Sequence, residues 1–155
     1  MRDIDKYRGC MIGGAAGDAL GYAVEFQSEN EIFSRYGKNG ICEYELDSEE
    51  VARFSDDTQM MLYTANGLLL GTTRGNTRGV FGTYPGYVRL FYEEWYRTQT
   101  EPYPPEDQKA WISALPELYA HRAPGSTCLS ACAAGPTGSP DRPLYNSKGC
   151  GGTVS

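Results

Sequence analysis

The stretch Arg53-Phe54-Ser55-Asp56-Asp57-Thr58-Gln59-Met60 and the apolar run that follows it decide the fold of this chain. Apolar residues recur at helical spacing in that run, at positions 61, 65 and 68 and again at 62 and 69. The pattern predicts a helix that ends at Gly71, a natural stop just past Leu70. Ser55 then takes the N-cap, and Asp56, Asp57 and Thr58 lie in the first turn.

Two interpretations of this helix start are open. In the first, it is an ordinary cap, because a serine oxygen can accept a free backbone N–H and acidic residues suit the positive end of the helix dipole. In the second, the hydroxyl and the two carboxylates form a divalent-cation site, since Mg²⁺ prefers oxygen ligands. Consecutive side chains inside a helix point about 100° apart, but at a helix entrance they can converge.

Composition predicts one globular, acidic domain. The 155 residues are 40% hydrophobic and 22% charged, which is enough apolar sequence for a sizeable core. The net charge of −6 argues against a nucleic-acid binder, which would usually carry a basic face. Five cysteines without a CxxC spacing indicate neither a zinc framework nor a disulfide scaffold, so we expect a reducing cytoplasm. We also expect a soluble protein, with no signal peptide and no membrane span.

Glycine recurs at every fourth position near the N-terminus, at Gly9, Gly13, Gly17 and Gly21. On a helix over about residues 5–23, that spacing forms a ridge without side chains along one face. Each glycine costs about 1 kcal/mol against alanine, so the ridge needs a reason, and close approach of another helix is the natural one. We therefore predict a central, buried helix.

Two acids stand out beside this ridge. Asp18 lies within its apolar strip, and we expect it to be structural, tying neighbouring helix ends together. Glu25 lies between Val24 and Phe26 where the helix ends. It is either a solvated loop glutamate or a partly desolvated acid whose raised pKa suits proton transfer.

The remaining chain indicates further helices and long loops, and no sustained strand alternation. Ser28 and Glu31 form a capping box that opens a short helix ending at Gly37. An aromatic stripe predicts an amphipathic helix from Tyr84 to about Arg97. The other expected segments are an irregular loop over 38–54, a connector over 71–83, a short helix over 111–119 and a helix capped by Ser126 that runs to about 134.

The last motif is Asn146-Ser147-Lys148-Gly149-Cys150-Gly151-Gly152. Such a glycine-rich segment can fold its N–H groups around a phosphate, although glycine-rich tails are often merely loose. His121, the only histidine, has no nucleophile beside it in the sequence and is expected to be a surface or supporting group.

Taken in order, four motifs resemble the ADP-ribosylglycohydrolase family: RGCMIGGAAGDALGYAVEF, FSDDTQM, HRAPGSTCL and NSKGCGG. The resemblance implies an all-α fold, an orthogonal helical bundle, with a pair of Mg²⁺ (or Mn²⁺) ions. It also implies cleavage of the bond between ribose C1″ and a modified side chain, often arginine, so the implied partner is an ADP-ribosylated protein or a small molecule that contains ADP-ribose.

Matched position by position, Ser55, Asp56 and Asp57 correspond to the first metal-ligand cluster of the family. Glu25 corresponds to the acid near the metals and the ribose, so Glu25 and Asp57 are the expected catalytic carboxylates. The expected substrate-binding residues, on the loop along the ADP-ribose phosphates, are Asn146, Ser147, Lys148, Gly149, Cys150 and Gly151.

One feature departs from the family pattern. Family members usually continue to a second aspartate-rich cluster of the DxDT kind, which this sequence lacks. We therefore interpret residues 1–155 as the N-terminal half of such a domain. The alternative to an active hydrolase is a catalytically inactive fragment that binds ADP-ribose or has a structural role.

Overall fold

The computed structural model describes residues 3–135 and 145–146. Those residues form five α-helices and two short 3₁₀ helices and contain no strand, which confirms the all-α prediction. None of these helices is long and apolar enough to cross a membrane. The chain divides into two compact units, residues 1–58 and residues 59–155, which are described separately.

In the first unit both complete helices begin at a capping residue. Helix α1 spans Ile4–Tyr22, and the Asp3 carboxylate at its N-cap accepts the Asp5 backbone N–H at 3.0 Å. Helix α2 spans Glu29–Tyr36 and has both hydrogen bonds of the predicted capping box. The segment 38–54 contains neither helix nor strand, so the predicted surface loop is confirmed.

The prediction that α1 is a buried central helix was wrong. None of its residues is buried, and Ile12 is 69% exposed. A Cβ placed on any of the four ridge glycines would meet no atom of the described residues within 4 Å. The physical reason is that a glycine ridge only permits close approach, and burial also needs an element seated on it.

Helix α3 spans Asp56–Arg78, so its start was predicted correctly and its end was not. The helix continues through Gly71, where the missing side chain leaves room for the Tyr87 ring. A Cβ on Gly71 would lie 2.6 Å from that ring. Gly67 likewise faces backbone, with its Cβ position 3.0 Å from the Tyr87 carbonyl oxygen. The helix ends instead at Gly79, whose φ of 62° is the left-handed conformation that glycine adopts at such ends.

The second unit has its core around helix α4, Tyr84–Thr100. Phe91 and Trp95 of the predicted aromatic stripe are fully buried there. The Trp95 indole N–H donates to Gln59 Oε1 at 3.0 Å, and the Gln59 amide donates to the Ala120 carbonyl at 2.9 Å. Because each of these buried polar atoms has a partner, the core can hold a glutamine beside a tryptophan.

The last described elements differ slightly from expectation. The segment 111–119 forms two 3₁₀ helices, Trp111–Ala114 and Pro116–Tyr119, instead of one α-helix. Helix α5 spans Ser126–Ala133, and its N-cap is Gly125, so Ser126 is the first helical residue rather than the cap. Both 3₁₀ helices and α5 pack against α4.

Candidate active site

The site is built around Asp18, which lies on α1 and holds the entrance of α3. Its Oδ2 accepts the backbone N–H groups of Ser55 at 2.9 Å and Thr58 at 3.1 Å. Its Oδ1 accepts the Ser55 hydroxyl at 2.6 Å, and the Thr58 hydroxyl also donates to Oδ2. Asp18 therefore ties two helix ends together, as the sequence predicted.

Ser55 caps α3 as predicted. Its Oγ accepts the Asp57 backbone N–H at 3.1 Å, which satisfies one of the free donors of the first turn. The ordinary-cap interpretation is thus confirmed. It does not compete with a cation site, because one hydroxyl oxygen can serve both a helix N–H and a further partner.

Four carboxylates lie near one another at the start of α3: Asp18, Glu25, Asp56 and Asp57. Burial raises the pKa of Asp57, and the neighbouring charges of Asp56 and Asp18 raise it further. The pKa of Glu25 is raised first by partial desolvation and then by Asp56, Asp57 and Asp18. Asp56 is only 5% exposed. Neighbouring carboxylates at this helix start therefore raise the pKa values of both Asp57 and Glu25.

The donor set fits a hard divalent cation. Ser55, Asp56 and Asp57 offer only oxygen atoms, and Mg²⁺ typically binds to one or two carboxylates while keeping several waters. Within residues 3–135 and 145–146, no three His, Cys, Asp or Glu side chains are arranged to hold a metal ion.

Thr58 is the site residue that sequence reasoning did not assign. It is 3% exposed, and both its hydroxyl and its backbone N–H donate to Asp18. A hydroxyl residue three positions after a serine cap was the available signal. Its partner lies 40 residues away, however, and sequence spacing does not reveal a contact at that separation.

Of the residues predicted to line the ADP-ribose phosphates, the structure describes only Asn146. Asn146 is exposed and lies outside any helix or strand, and residues 147–152, with Ser147, Lys148, Gly149, Cys150 and Gly151, lie outside the described residues. His121 is exposed. Burial raises the pKa of Cys132 to about 11, so its thiol is protonated at neutral pH.

Comparison with known proteins identifies the family of this chain. The sequence model of the ADP-ribosylglycohydrolase family matches residues 1–155, the whole chain. Searches of curated proteins and of solved structures found no match. The family match supports a hydrolase of the ADP-ribosylglycohydrolase type in general. The chain belongs to the ADP-ribosylglycohydrolase family.

Proposed function

We propose that this chain is a Mg²⁺-dependent hydrolase that removes ADP-ribose from modified protein side chains, with arginine as the linkage. The bond cleaved is the one at ribose C1″. The observation that carries the proposal is the carboxylate group at the α3 entrance, in which Glu25 and Asp57 both have raised pKa values. Family membership supplies the reaction class.

Ser55, Asp56 and Asp57 would hold the cation. When bound, Mg²⁺ supplies Lewis-acid polarisation and lowers the pKa of a coordinated water. Asp18 keeps the three residues at a fixed helix entrance through its bonds to Ser55 and Thr58.

Glu25 is the proposed proton carrier. It is the exposed carboxyl of the group, so substrate and water can reach it, and its raised pKa favours proton exchange nearer neutral pH. Its role is to take a proton from the attacking water or to return one to the leaving nitrogen, at a sugar that passes through an oxocarbenium-like state.

A second function is favoured by one observation. The described residues lack a group of three His, Cys, Asp or Glu side chains that could hold a metal. A chain with so few protein ligands could bind ADP-ribose, or serve a structural role, without turning substrate over. Saturable binding of ADP-ribose without release would support this alternative.

The test is release of ADP-ribose from an ADP-ribosylated arginine peptide, with Mg²⁺ and with EDTA. We expect release only with Mg²⁺, and we expect Glu25→Gln to slow it about 10²- to 10⁴-fold, the usual contribution of a positioned acid or base. Glu29→Gln is the matched control, because Glu29 is an exposed glutamate in the first turn of α2. Equal rates for Glu25→Gln and wild type would contradict the role of Glu25.

A further inference from the structure

We propose that Asp18 is a positioning residue that fixes the proton direction of the Ser55 hydroxyl, so that Ser55 Oγ faces the candidate cation site with a lone pair. This inference rests on the proposed function for the cation itself. The hydrogen-bond geometry that carries it is independent of any metal.

Within the described part of the chain, four groups donate hydrogen bonds to the Asp18 carboxylate. Ser55 N–H, Thr58 N–H and the Thr58 hydroxyl all donate to Oδ2, whereas the Ser55 hydroxyl donates to Oδ1 at 2.6 Å. The Ser55 proton is thereby committed to Asp18. The two carboxylate oxygens have different roles: Oδ2 caps α3, and Oδ1 orients the Ser55 hydroxyl.

The consequence for Ser55 follows from counting its hydrogen-bonding capacity. A serine hydroxyl has one proton and two lone pairs. The proton goes to Asp18, and one lone pair accepts the Asp57 N–H at 3.1 Å. One lone pair remains, and it is the feature that a cation needs, since a hydroxyl that turned its proton outward would repel the ion.

The Asp18→Asn substitution distinguishes the capping role of Oδ2 from the orienting role of Oδ1. The amide oxygen of Asp18→Asn can take the place of Oδ2 and keep the three capping bonds. The amide NH₂ then takes the place of Oδ1 and donates to Ser55 Oγ. With Asp57 N–H as its second donor, Ser55 would have no lone pair left and its proton would point outward. Helix capping is retained while the hydroxyl is reversed.

The first experiment measures Mn²⁺ binding by paramagnetic resonance titration. We expect Asp18→Asn to weaken Mn²⁺ binding about 10- to 100-fold, the usual cost of losing a group that orients a metal ligand. Asp3→Asn is the matched control, because Asp3 caps α1 with the same chemistry, and its Kd should be unchanged. Unchanged Mn²⁺ affinity in a folded Asp18→Asn protein would overturn the proposal.

A double-mutant cycle distinguishes orientation from simple loss of charge. If Asp18 acts through the Ser55 hydroxyl, adding Asp18→Asn to Ser55→Ala should weaken Mn²⁺ binding no further. If the charge of Asp18 acts directly through space, the same loss should persist in the Ser55→Ala background. That second result would overturn the positioning role.

A metal-free readout keeps this inference separate from the proposed function. The Ser55 hydroxyl proton should exchange slowly in proton NMR of the wild-type chain and quickly in Asp18→Asn. Slow exchange in a wild-type chain that binds no Mn²⁺ would count against the proposed function and support the orientation by Asp18. Free exchange of that proton in the wild type would overturn the orientation.

Discussion

Replacing Asp57 by alanine is expected to abolish Mg²⁺-dependent release of ADP-ribose and to weaken Mn²⁺ binding by more than about 100-fold, beyond the usual loss for a residue that only supports a ligand. Asp57 is half-buried at the α3 entrance, where it is one of the two adjacent carboxylates of the site. Its removal leaves Ser55 and Asp56, so the cation would lose one of its two proposed carboxylate ligands and the negative charge that this ligand carries.

Although substitution of Asp57 should weaken metal binding, it should raise the stability of the metal-free protein. The pKa of Asp57 in the folded state is raised above its ordinary 3.8, so the folded state binds more protons than the unfolded state between the two values. The free energy of unfolding of the wild type therefore falls as the pH rises through that window. In EDTA at pH 7, Asp57→Asn should be more stable than wild type, and the difference should vanish below about pH 3.8.

Higher stability without metal, measured together with a lost response to Mg²⁺ in Asp57→Asn, would exclude misfolding as the cause of lost function. A variant that is more stable without metal and unresponsive to Mg²⁺ is folded but lacks its ligand. Thermal unfolding with and without Mg²⁺ provides both measurements. If Asp57→Asn kept the Mg²⁺-dependent rise in Tm seen in wild type, Asp57 would not be a ligand.

Trp95→Ala is expected to cost about 3–5 kcal/mol of unfolding free energy, the usual range for removing a buried large aromatic side chain. Trp95 is fully buried in the core of the second unit, and its indole N–H is the donor to Gln59 Oε1. The substitution opens a cavity. It also removes one of the two donors to the Gln59 side-chain oxygen, so that only the Gln99 amide still donates to it. Because whole domains are stable by about 5–15 kcal/mol, this variant should be close to unfolding.

The chain contains its own control for this prediction, since it has two tryptophans and the other, Trp111, is 56% exposed. Urea unfolding followed by far-UV circular dichroism should give Trp111→Ala a midpoint near that of wild type, because surface substitutions usually cost less than about 0.5 kcal/mol. Comparable losses in both variants would show that Trp95 is not the centre of this core.

The starts of α2 and α3 were predictable because their caps are local. The Ser28–Glu31 capping box and the Ser55 cap involve residues two or three positions apart, and both appear where the sequence placed them. The end of α3 was not predictable in the same way. Gly71 resembles a helix stop until the Tyr87 ring is known to pack on it, and that contact joins distant parts of the chain.

Two series of glycines at a spacing of four, one in α1 and one in α3, differ in how they pack. The spacing of four between Gly9 and Gly21 predicted a packed ridge, and the described residues leave that ridge open. The same spacing occurs at Gly67, Gly71 and Gly75, where the structure does pack α3 closely, although the sequence analysis assigned Gly71 and Gly75 to a connector. Periodicity shows where close packing is possible, but only tertiary structure shows where a partner is seated.

In the candidate site, too, the residue types could be predicted from the sequence, whereas the long-range contacts could not. Its acids were identified from residue type and motif order, and the structure places Glu25 close enough to Asp56 and Asp57 for their charges to raise its pKa. The bonds that organise it were beyond local reasoning, since Asp18 and Ser55 are 37 positions apart. The sequence suggested that Asp18 ties helix ends together, but not which hydroxyls it orients.

The measurement that tests the central claim most directly is isothermal titration of ADP-ribose into the purified chain, with Mg²⁺ and with EDTA. The account predicts saturable binding that requires Mg²⁺, because the carboxylates at the α3 entrance need the cation before they can accept a negatively charged ligand. Absence of binding in both conditions, from a sample that unfolds cooperatively, would contradict the claim that Ser55, Asp56 and Asp57 form a working site in this chain.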